Sequence, residues 1–368
     1  MGGDAFEVTV NLVKMAVIFL MMVQMVPILV WAERRGSAFI QNRFGPNRVG
    51  PLGLTQLLAD AVKFIMKEEF VPGKATALLF YAAPVVALIP AALSLAAIPY
   101  SVPVHVEAFG EYGPYVFNIQ GYEAGLGILF ILSVSSLGAY SILMAGYGSA
   151  NKYSLMGALR ASAQMVSYEL ALSLSVIGVV LIYGTLNLSE IIKLQEGVKF
   201  GLPNWGILYQ PLGFVLFFSC AFAECNRLPF DLSEAEGELV AGFHTEYGGF
   251  KMLLFFMGEY GHMMVASCLA TIFYFGGYNI PYCTPTEVLQ ILETKFASST
   301  VASLLTSLVF LISFLIKVGF FLWLFIWVRW TLPRFRYDQL MNLGWKKMLP
   351  WSLFNLILTA AAMLILKG

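Results

Sequence analysis

Long runs of apolar residues constrain the fold of this chain more than any other feature of its sequence. A helix needs about 20 residues to cross about 30 Å of hydrocarbon, and eight runs have roughly that length. The fifth is the weakest candidate, because Pro211 and Gly213 interrupt it. The sequence therefore predicts an all-α integral membrane protein with about eight transmembrane helices, at residues 12–31, 77–99, 124–147, 155–184, 206–224, 251–277, 301–328 and 349–366.

The composition excludes most other classes of protein. Of the 368 residues, 59% are hydrophobic and 12% are charged, whereas a soluble domain has about 25% charged residues. The net charge of +0 gives no long-range attraction for nucleic acid. No linker or break in composition divides the chain, so residues 1–368 are predicted to form a single polytopic membrane domain.

The distribution of Lys and Arg predicts the orientation in the membrane. The odd-numbered connections between runs carry fourteen of these residues, seven of them between 32 and 76, whereas the even-numbered connections carry three. Positively charged connections stay on the cytoplasmic side, so both termini are expected on the opposite, periplasmic side. Glu33-Arg34-Arg35 follows the first run in place of a cleavage site, so this run is expected to end there as a retained spanning helix.

The first connection contains the pattern of an amphipathic helix at residues 52–69. Such a helix lies in the membrane plane, with its polar residues on one face. Two interpretations stay open: an anchor with solvated charges, or a helix whose Asp60 and Lys63 face a cavity. The preceding tract, residues 41–51, is rich in turn residues, and irregular backbone beside hydrocarbon requires cover by a partner subunit.

Two of the remaining connections contain short helical patterns. Thr284-Pro285-Thr286-Glu287 is a capping box, which predicts a helix that runs to about Phe296. Residues 188–195 place Glu190 and Lys193 on one face. Both helices are interpreted as covers at the membrane interface without a chemical role.

Acidic residues within or at the ends of the runs give the strongest functional signal. An ionised carboxylate near the centre of a bilayer costs about 2.5–3.5 kcal/mol, so it must be protonated, paired or hydrated. For any one glutamate, a structural hydrogen bond or ion pair between helices is an adequate explanation. Four together favour a proton path. They are Glu123, expected to open the third span, Glu169, Glu224 and Glu259.

The connection at residues 224–250 is rich in acids that are interleaved with apolar residues. A solvated acidic loop is one interpretation. A partly buried segment is the other, in which crowded carboxylates have raised and coupled pKa values that suit proton relay. The acids are Glu224, Asp231, Glu234, Glu236, Glu238 and Glu246, and they surround one arginine, Arg227.

Neither the cysteines nor the histidines have the spacing of metal ligands. The four cysteines form no Cys-x-x-Cys pair, and His105, His244 and His262 are scattered along the chain. No metal site is therefore predicted. If the protein takes part in redox chemistry, the electron carriers are expected in other subunits.

Five tracts of the sequence resemble the H-type membrane subunit of proton-pumping NADH:quinone oxidoreductase, respiratory complex I. The resemblance covers essentially the whole chain in matching order, and the tract from Asn226 to Val240 is long enough to be highly specific. The five tracts are 32–36 (AERRG), 42–51 (NRFGPNRVGP), 58–63 (LADAVK), 164–170 (QMVSYEL) and 224–249.

The resemblance implies a role in quinone access and proton coupling. Matched motif by motif, the quinone chamber and its entrance would involve Glu33, Arg34, Arg35, Asp60, Lys63 and Arg227. The proton path would involve Glu123, Glu169, Glu224, Asp231, Glu234, Glu236, Glu238, Glu246 and Glu259.

The resemblance also implies where the cofactors and partners lie. Quinone would be a substrate, and this chain would bind no cofactor of its own. Iron–sulfur clusters and FMN would belong to partner subunits. The partners would be the peripheral-arm quinone-site and iron–sulfur subunits, small membrane subunits and antiporter-like subunits, in a bacterial plasma (inner) membrane rather than an organellar one.

Two alternatives come from other classes of protein. The first is the related membrane subunit of a hydrogenase- or ferredoxin-linked ion-pumping complex, which the identity of the neighbouring genes would distinguish. The second is an independent proton-coupled transporter that uses the same buried glutamates. Proton-coupled solute flux through the purified chain would favour the transporter.

Overall fold

The chain is mostly α-helical in a computed structural model that describes residues 2–107, 115–199, 201–231, 240–296 and 298–367. Within these residues, seven helical segments are long and apolar enough to cross a membrane. Two of the seven are interrupted and are described as pairs. The segments are α1 (Gly2–Ile40), α3 (Ala77–Ala96), α4 with α5 (Gly127–Ser135 and Leu137–Gly148), α6 (Lys152–Tyr183), α10 (Gly249–Tyr274), α12 (Ser299–Thr331) and α13 with α14 (Tyr337–Leu343 and Leu349–Lys367).

Shorter elements fill the connections between these segments. The short helices are α2 (Gln56–Met66), α7 (Leu188–Leu194), α8 (Gly206–Tyr209), α9 (Pro211–Glu224) and α11 (Pro285–Glu293). Two small antiparallel hairpins accompany them. Strand β1 (Val104–Val106) pairs with β2 (Tyr115–Phe117), with Val104 opposite Phe117, and β3 (Val198–Lys199) pairs with β4 (Leu202–Pro203).

The local motifs predicted outside the spanning helices are found. Thr284 and Glu287 form the capping box of α11, since each side chain accepts a hydrogen bond from the other residue's backbone N–H. Residues 188–195 correspond to α7, and the in-plane pattern corresponds to α2, which is shorter than predicted. The orientation and the single-domain organisation stay predictions.

The first predicted span ends much later than expected. Helix α1 continues through Glu33, Arg34 and Arg35 to Ile40, so its 39 residues extend for about 58 Å. The charged triplet was expected to end the helix. Charges mark the edge of the hydrocarbon, but they do not break backbone hydrogen bonds. The triplet is therefore presented on a rigid helix instead of a loop.

The fifth predicted span is the one that does not form a long helix. Gln210 separates α8 from α9, and Pro211 occupies the first position of α9, where its missing N–H is tolerated. The 14 residues of α9 extend for about 21 Å, less than the thickness of the hydrocarbon. Helix α9 is nevertheless fixed in place by packing.

Phenylalanine side chains fix α9 against α12. The rings of Phe218 and Phe325 lie 5.2 Å apart and those of Phe222 and Phe325 lie 4.2 Å apart, centroid to centroid. Aromatic pairs at such distances add about 0.5–1.5 kcal/mol beyond the area that they bury. This contact fixes the end of α9, where Glu224 lies, against α12. Elsewhere the helices expose large apolar side chains outward, as at Ile316 and Ile357.

Candidate functional site

A group of buried and half-buried charges joins four distant parts of the chain. Arg227 Nη1 lies 3.2 Å from Glu33 Oε2, and Arg227 Nε lies 2.8 Å from Glu259 Oε1. Arg329 Nη1 lies 2.5 Å from the other oxygen of Glu33, and the Tyr260 hydroxyl donates to Glu33 at 2.6 Å. We call these five residues the ion-pair cluster.

The connection after α9 holds Arg227 inside this cluster. Asn226 has φ of +49°, a left-handed conformation that asparagine tolerates better than most residues, and it ends the helix. Gln164 of α6 donates to the carbonyl of Ala223 at 2.9 Å and so ties the end of α9 to α6. As a result Arg227 is only 3% exposed.

Arg227 stays charged in spite of its burial. Burial acts to lower the pKa of the guanidinium, but the acidic groups of Glu259, Tyr260 and Glu33 outweigh that effect and hold the pKa above its ordinary value. The guanidinium also lies 4.2 Å above the centre of the Tyr260 ring, in the geometry of a cation–π contact. The cluster is thus held together by charge as well as by hydrogen bonds.

A second ion pair lies beside the cluster, between α1 and α2. Arg34 Nη1 lies 2.5 Å from Asp60 Oδ2, and Gln56 donates to Asp60 Oδ1 at 3.0 Å. The two charged side chains are partly exposed, with 46% and 22% of their surfaces accessible. Since Glu33 and Arg34 are neighbours on α1, the helix directs one residue into the cluster and the next towards α2.

The two groups of charges line one cavity of about 350 Å³, which we call the main cavity. The volume falls within the range of small-molecule pockets. Its wall combines paired charges with apolar groups, which suits an amphipathic ligand with a polar head. The lining includes Glu33, Arg34, Arg43, Asp60, Arg227, Glu259, Tyr260 and Arg329, together with Leu57, Phe64, Leu253 and Phe256.

Two smaller cavities continue from Glu259 towards the interior. The first, of about 50 Å³, is lined by Glu259, Glu224 and His262, and the second, of about 20 Å³, by Glu224 and His262. Glu259 therefore borders both the main cavity and the first small cavity, while Glu224 borders both small ones. A cavity of about 10–15 Å³ can hold one water molecule, so each small cavity has room for water among polar groups.

Glu169 continues the series towards the outer surface of the helices. Its carboxyl lies close enough to Glu224 to interact with it electrostatically, and Ser135 hydrogen-bonds Glu224. Glu169 also lines an outer groove of about 440 Å³, formed mainly by α4 and α6. Three of the four glutamates singled out in the sequence, Glu169, Glu224 and Glu259, thus form one series.

The fourth glutamate of that set is placed elsewhere. Glu123 was expected to open the third span, but α4 begins at Gly127, and Glu123 is exposed in the preceding connection. The prediction of its position was wrong, because the apolar run starts before the helix does.

The other predicted site residues that the structure describes do not line these cavities. Lys63 is exposed on α2, and the Arg35 guanidinium lies 5.4 Å from the centre of the Trp31 ring. Asp231 is buried and pairs with Arg334 at 3.3 Å, and Glu246 accepts a hydrogen bond from Asn151 at 2.7 Å. Glu234, Glu236 and Glu238 lie outside the described residues.

Two cluster members, Tyr260 and Arg329, were not identified from the sequence. Both lie at the ends of motifs that drew attention for other reasons: Tyr260 follows Glu259, and Arg329 ends an apolar run. The signal available for Tyr260 was its position directly beside a buried acid. The signal for Arg329 was weaker, because a basic residue at the end of a span is ordinary.

A half-buried lysine beyond the far end of α10 was also missed. Lys317 of α12 donates from Nζ to the backbone carbonyls of Phe275, Gly277 and Asn279 at 2.9, 2.9 and 2.5 Å. Gly277 has φ of +57°, and a Cβ atom there would lie 2.7 Å from Ile192, so only glycine fits this turn. We call Lys317 and its three carbonyls the lysine cap.

The described part of the chain contains no group of three or more His, Cys, Asp and Glu residues arranged to hold a metal ion. The chemical groups that the main cavity offers are carboxylates, guanidinium groups and a phenol. They can bind a polar head group, and they can exchange protons with it.

Comparison with known proteins assigns the family. The sequence pattern of the NADH dehydrogenase family matches residues 13–360. The chain is 63% identical to the H-type NADH-quinone oxidoreductase subunit of Bdellovibrio bacteriovorus over 375 residues, which cover 98% of this chain and 97% of the relative. It is 46% identical to an H-type subunit of Cytophaga hutchinsonii, with 91% of each chain covered, and 44% identical to one of Geobacter metallireducens, with 96% and 97% covered. The chain therefore belongs to the NADH dehydrogenase family, as an H-type membrane subunit.

Proposed function

We propose that this chain forms the membrane part of a quinone chamber and couples quinone reduction to proton translocation in an NADH:quinone oxidoreductase. One observation supports the proposal above all. The main cavity is lined by balanced charges, and one of its acids, Glu259, also borders the first of the smaller cavities that lead to Glu224. A ligand in the chamber would therefore be in electrostatic contact with the start of a series of acids.

The main cavity suits the two halves of a quinone. Leu57, Phe64, Leu253 and Phe256 offer apolar surface to a long tail, and the charged residues offer hydrogen bonds to the head group. Reduction adds two electrons and two protons to the quinone to give the quinol. The electrons would come from redox centres in partner subunits, iron–sulfur clusters and FMN, because the role proposed for this chain is to bind and position the quinone.

The ion-pair cluster would transmit the change of charge. In it Arg227 pairs with both Glu33 and Glu259. A negative charge that develops on a reduced head group would attract the arginine and weaken its hold on Glu259. Since a carboxylate that loses its cationic partner binds a proton more tightly, Glu259 would take up a proton at that moment.

Protons would then move along the series Glu259, Glu224 and Glu169, through water in the two small cavities. Glu169 borders the outer groove, where a neighbouring membrane subunit would receive the signal. The small membrane subunits and the antiporter-like subunits are the proposed partners on that side. The peripheral-arm quinone-site and iron–sulfur subunits are the proposed partners over the main cavity. The membrane would be a bacterial inner membrane, since the relatives compared are bacterial proteins.

The test replaces each acid of the series in the intact complex. Glu259→Gln and Glu224→Gln keep the shape of the side chain and remove its ability to ionise. We expect each to reduce proton translocation at least fivefold, measured in proteoliposomes with NADH and a soluble quinone.

Two comparisons make the outcome decisive. Electron transfer from NADH to ferricyanide counts assembled complexes and should stay within twofold of the wild type. The exposed Glu293→Gln on α11 is the matched control and should pump normally. If both cavity variants pump as the wild type does, the relay along these acids is excluded.

A further inference from the structure

His262 lies where the two small cavities meet. It follows Glu259 by three residues on α10, a spacing that puts both side chains on one face of the helix. His262 and Glu224 each line both small cavities, whereas Glu259 lines only the first. The imidazole is therefore placed between the acid next to the main cavity and the acid at the end of α9.

The imidazole has unused hydrogen-bonding capacity at this position. Its Nε2 atom is buried and has no hydrogen-bond partner among the residues that the structure describes. Most buried polar atoms have a partner, so each exception requires an explanation. Both cavities have room for water, and water bound there can connect Nε2 with a carboxylate.

We propose that His262 is the relay residue through which protons pass between Glu259 and Glu224. The inference rests on the function proposed above and adds a residue to it. In each transfer the neutral imidazole accepts a proton at one ring nitrogen and releases one from the other, so its net protonation is unchanged. The titratable groups that face it across the cavities are Glu224, Cys225, His244 and Glu259.

A relay explains the arrangement better than packing does. A histidine that only fills space has no need to border two cavities that Glu224 also lines, and an apolar residue of similar size would avoid a buried Nε2 without a partner. Gly138 lines the first small cavity together with His262, and a Cβ atom at position 138 would lie 3.5 Å from Nε2, in ordinary van der Waals contact. The unpartnered nitrogen therefore lies at the wall of the cavity that Glu224 and Glu259 also line.

The experiment compares three replacements of His262 in the intact complex, reconstituted in proteoliposomes. His262→Asn and His262→Gln keep hydrogen-bonding groups but cannot carry a proton, and His262→Glu restores a titratable group. We expect the two amides to lower the number of protons translocated per NADH at least fivefold. We expect His262→Glu to recover at least a third of the wild-type value.

The control is His105→Asn, the same chemical change at an exposed residue of β1, which should pump normally. Ferricyanide reduction again corrects for assembly. If His262→Asn or His262→Gln pumps normally while Glu224→Gln does not, the relay role of His262 is wrong and the proposed function stands. If His262→Gln is impaired and His262→Glu is equally impaired, the residue acts through packing and the relay role is also wrong. If Glu259→Gln and Glu224→Gln both pump normally, the proposed function itself fails.

Discussion

The ion-pair cluster and the lysine cap both hold positive charge within the same set of helices, but different chemical groups bind that charge in the two places. In the cluster, Arg227 and Arg329 share a carboxylate, beside a cavity of about 350 Å³. In the cap, the ammonium of Lys317 is held by three backbone carbonyls. Carboxylates can gain protons and exchange partners, whereas backbone carbonyls can do neither.

The difference shows that burial of a charge does not by itself identify a working site. The kind of partner and the space beside it are what distinguish the two regions. A cluster of ionisable partners next to a cavity has several arrangements of similar energy, so a bound ligand can shift it from one to another. A cation held by fixed dipoles has one arrangement and serves stability.

The largest expected effect is that of Arg227→Met. The substitution removes from Glu259 the guanidinium with which it pairs and leaves Arg329 as the cation beside Glu33. Removal of one partner of a buried pair destabilises by about 3–5 kcal/mol. We expect the variant to assemble poorly and to lose most quinone reductase activity. The yield of intact complex on a native gel and the NADH:quinone rate measure the two effects.

The double variant Glu259→Gln with Arg227→Met sharpens this test. Neutralising the carboxylate from which the single variant removes the guanidinium should recover part of the assembly that the single variant loses, because coupled residues are not additive. Equal yields for the single and double variants would show that Arg227 acts independently of Glu259.

Lys317→Met is expected to have an intermediate effect, confined to stability. Loss of the ammonium leaves buried carbonyls unsatisfied, at a cost of about 1–3 kcal/mol. The thermal midpoint of the complex should therefore fall, while the quinone reductase rate per assembled complex stays unchanged. Lys295→Met, at an exposed lysine, is the matched control. If Lys317→Met instead lowered proton translocation without lowering the thermal midpoint, the lysine cap would have a role in function and the two regions would not differ as described.

Asp60→Asn should have the smallest effect, on substrate affinity. The Arg34–Asp60 pair is partly exposed, and such pairs contribute about 0.2–1 kcal/mol, which corresponds to an increase of up to about fivefold in the Michaelis constant for quinone. Steady-state kinetics with short- and long-tailed quinones measure it.

Lys63→Gln on the same helix provides the comparison. Lys63 is exposed and is not among the residues that line the main cavity, so the Michaelis constant of this variant for quinone should stay within twofold of the wild type. An increase as large as that of Asp60→Asn would show that the exposed face of α2 also contributes to quinone access.

Much of the helical framework follows from the sequence because apolar length is a local property. Helix α3 was predicted at 77–99 and lies at Ala77–Ala96, and the capping box at Thr284 was correctly identified. Errors occur at the ends of helices. Helix α1 passes through its charged triplet and α4 begins after Glu123, because hydropathy records where hydrocarbon ends and not where backbone hydrogen bonding ends.

The site was predicted less completely because its contacts join distant residues. Glu33 and Arg227 are separated by 194 positions, and no local pattern indicates that they meet. His262 was considered only as a possible metal ligand. Lys317 was not singled out because one lysine within an otherwise apolar run does not change the prediction of a spanning helix. The buried acids were identified because an acidic residue within an apolar run is recognisable from the sequence without knowledge of its partners. Their partners are determined by the packing of helices.

The shortness of α9 has a consequence for energy conversion. Its terminal residue, Glu224, shares a cavity with Glu259, which lies ten residues into α10, a rise of about 15 Å. We expect this depth to place Glu224 inside the electrically insulating layer. A voltage of 100 mV across that layer changes the energy of a unit charge by about 2.3 kcal/mol, and a proton that reaches Glu224 along the proposed path would have crossed a fraction of it. Membrane voltage would then act directly on the protonation of this carboxyl group, so an energised membrane would oppose or assist turnover at this point in the chain.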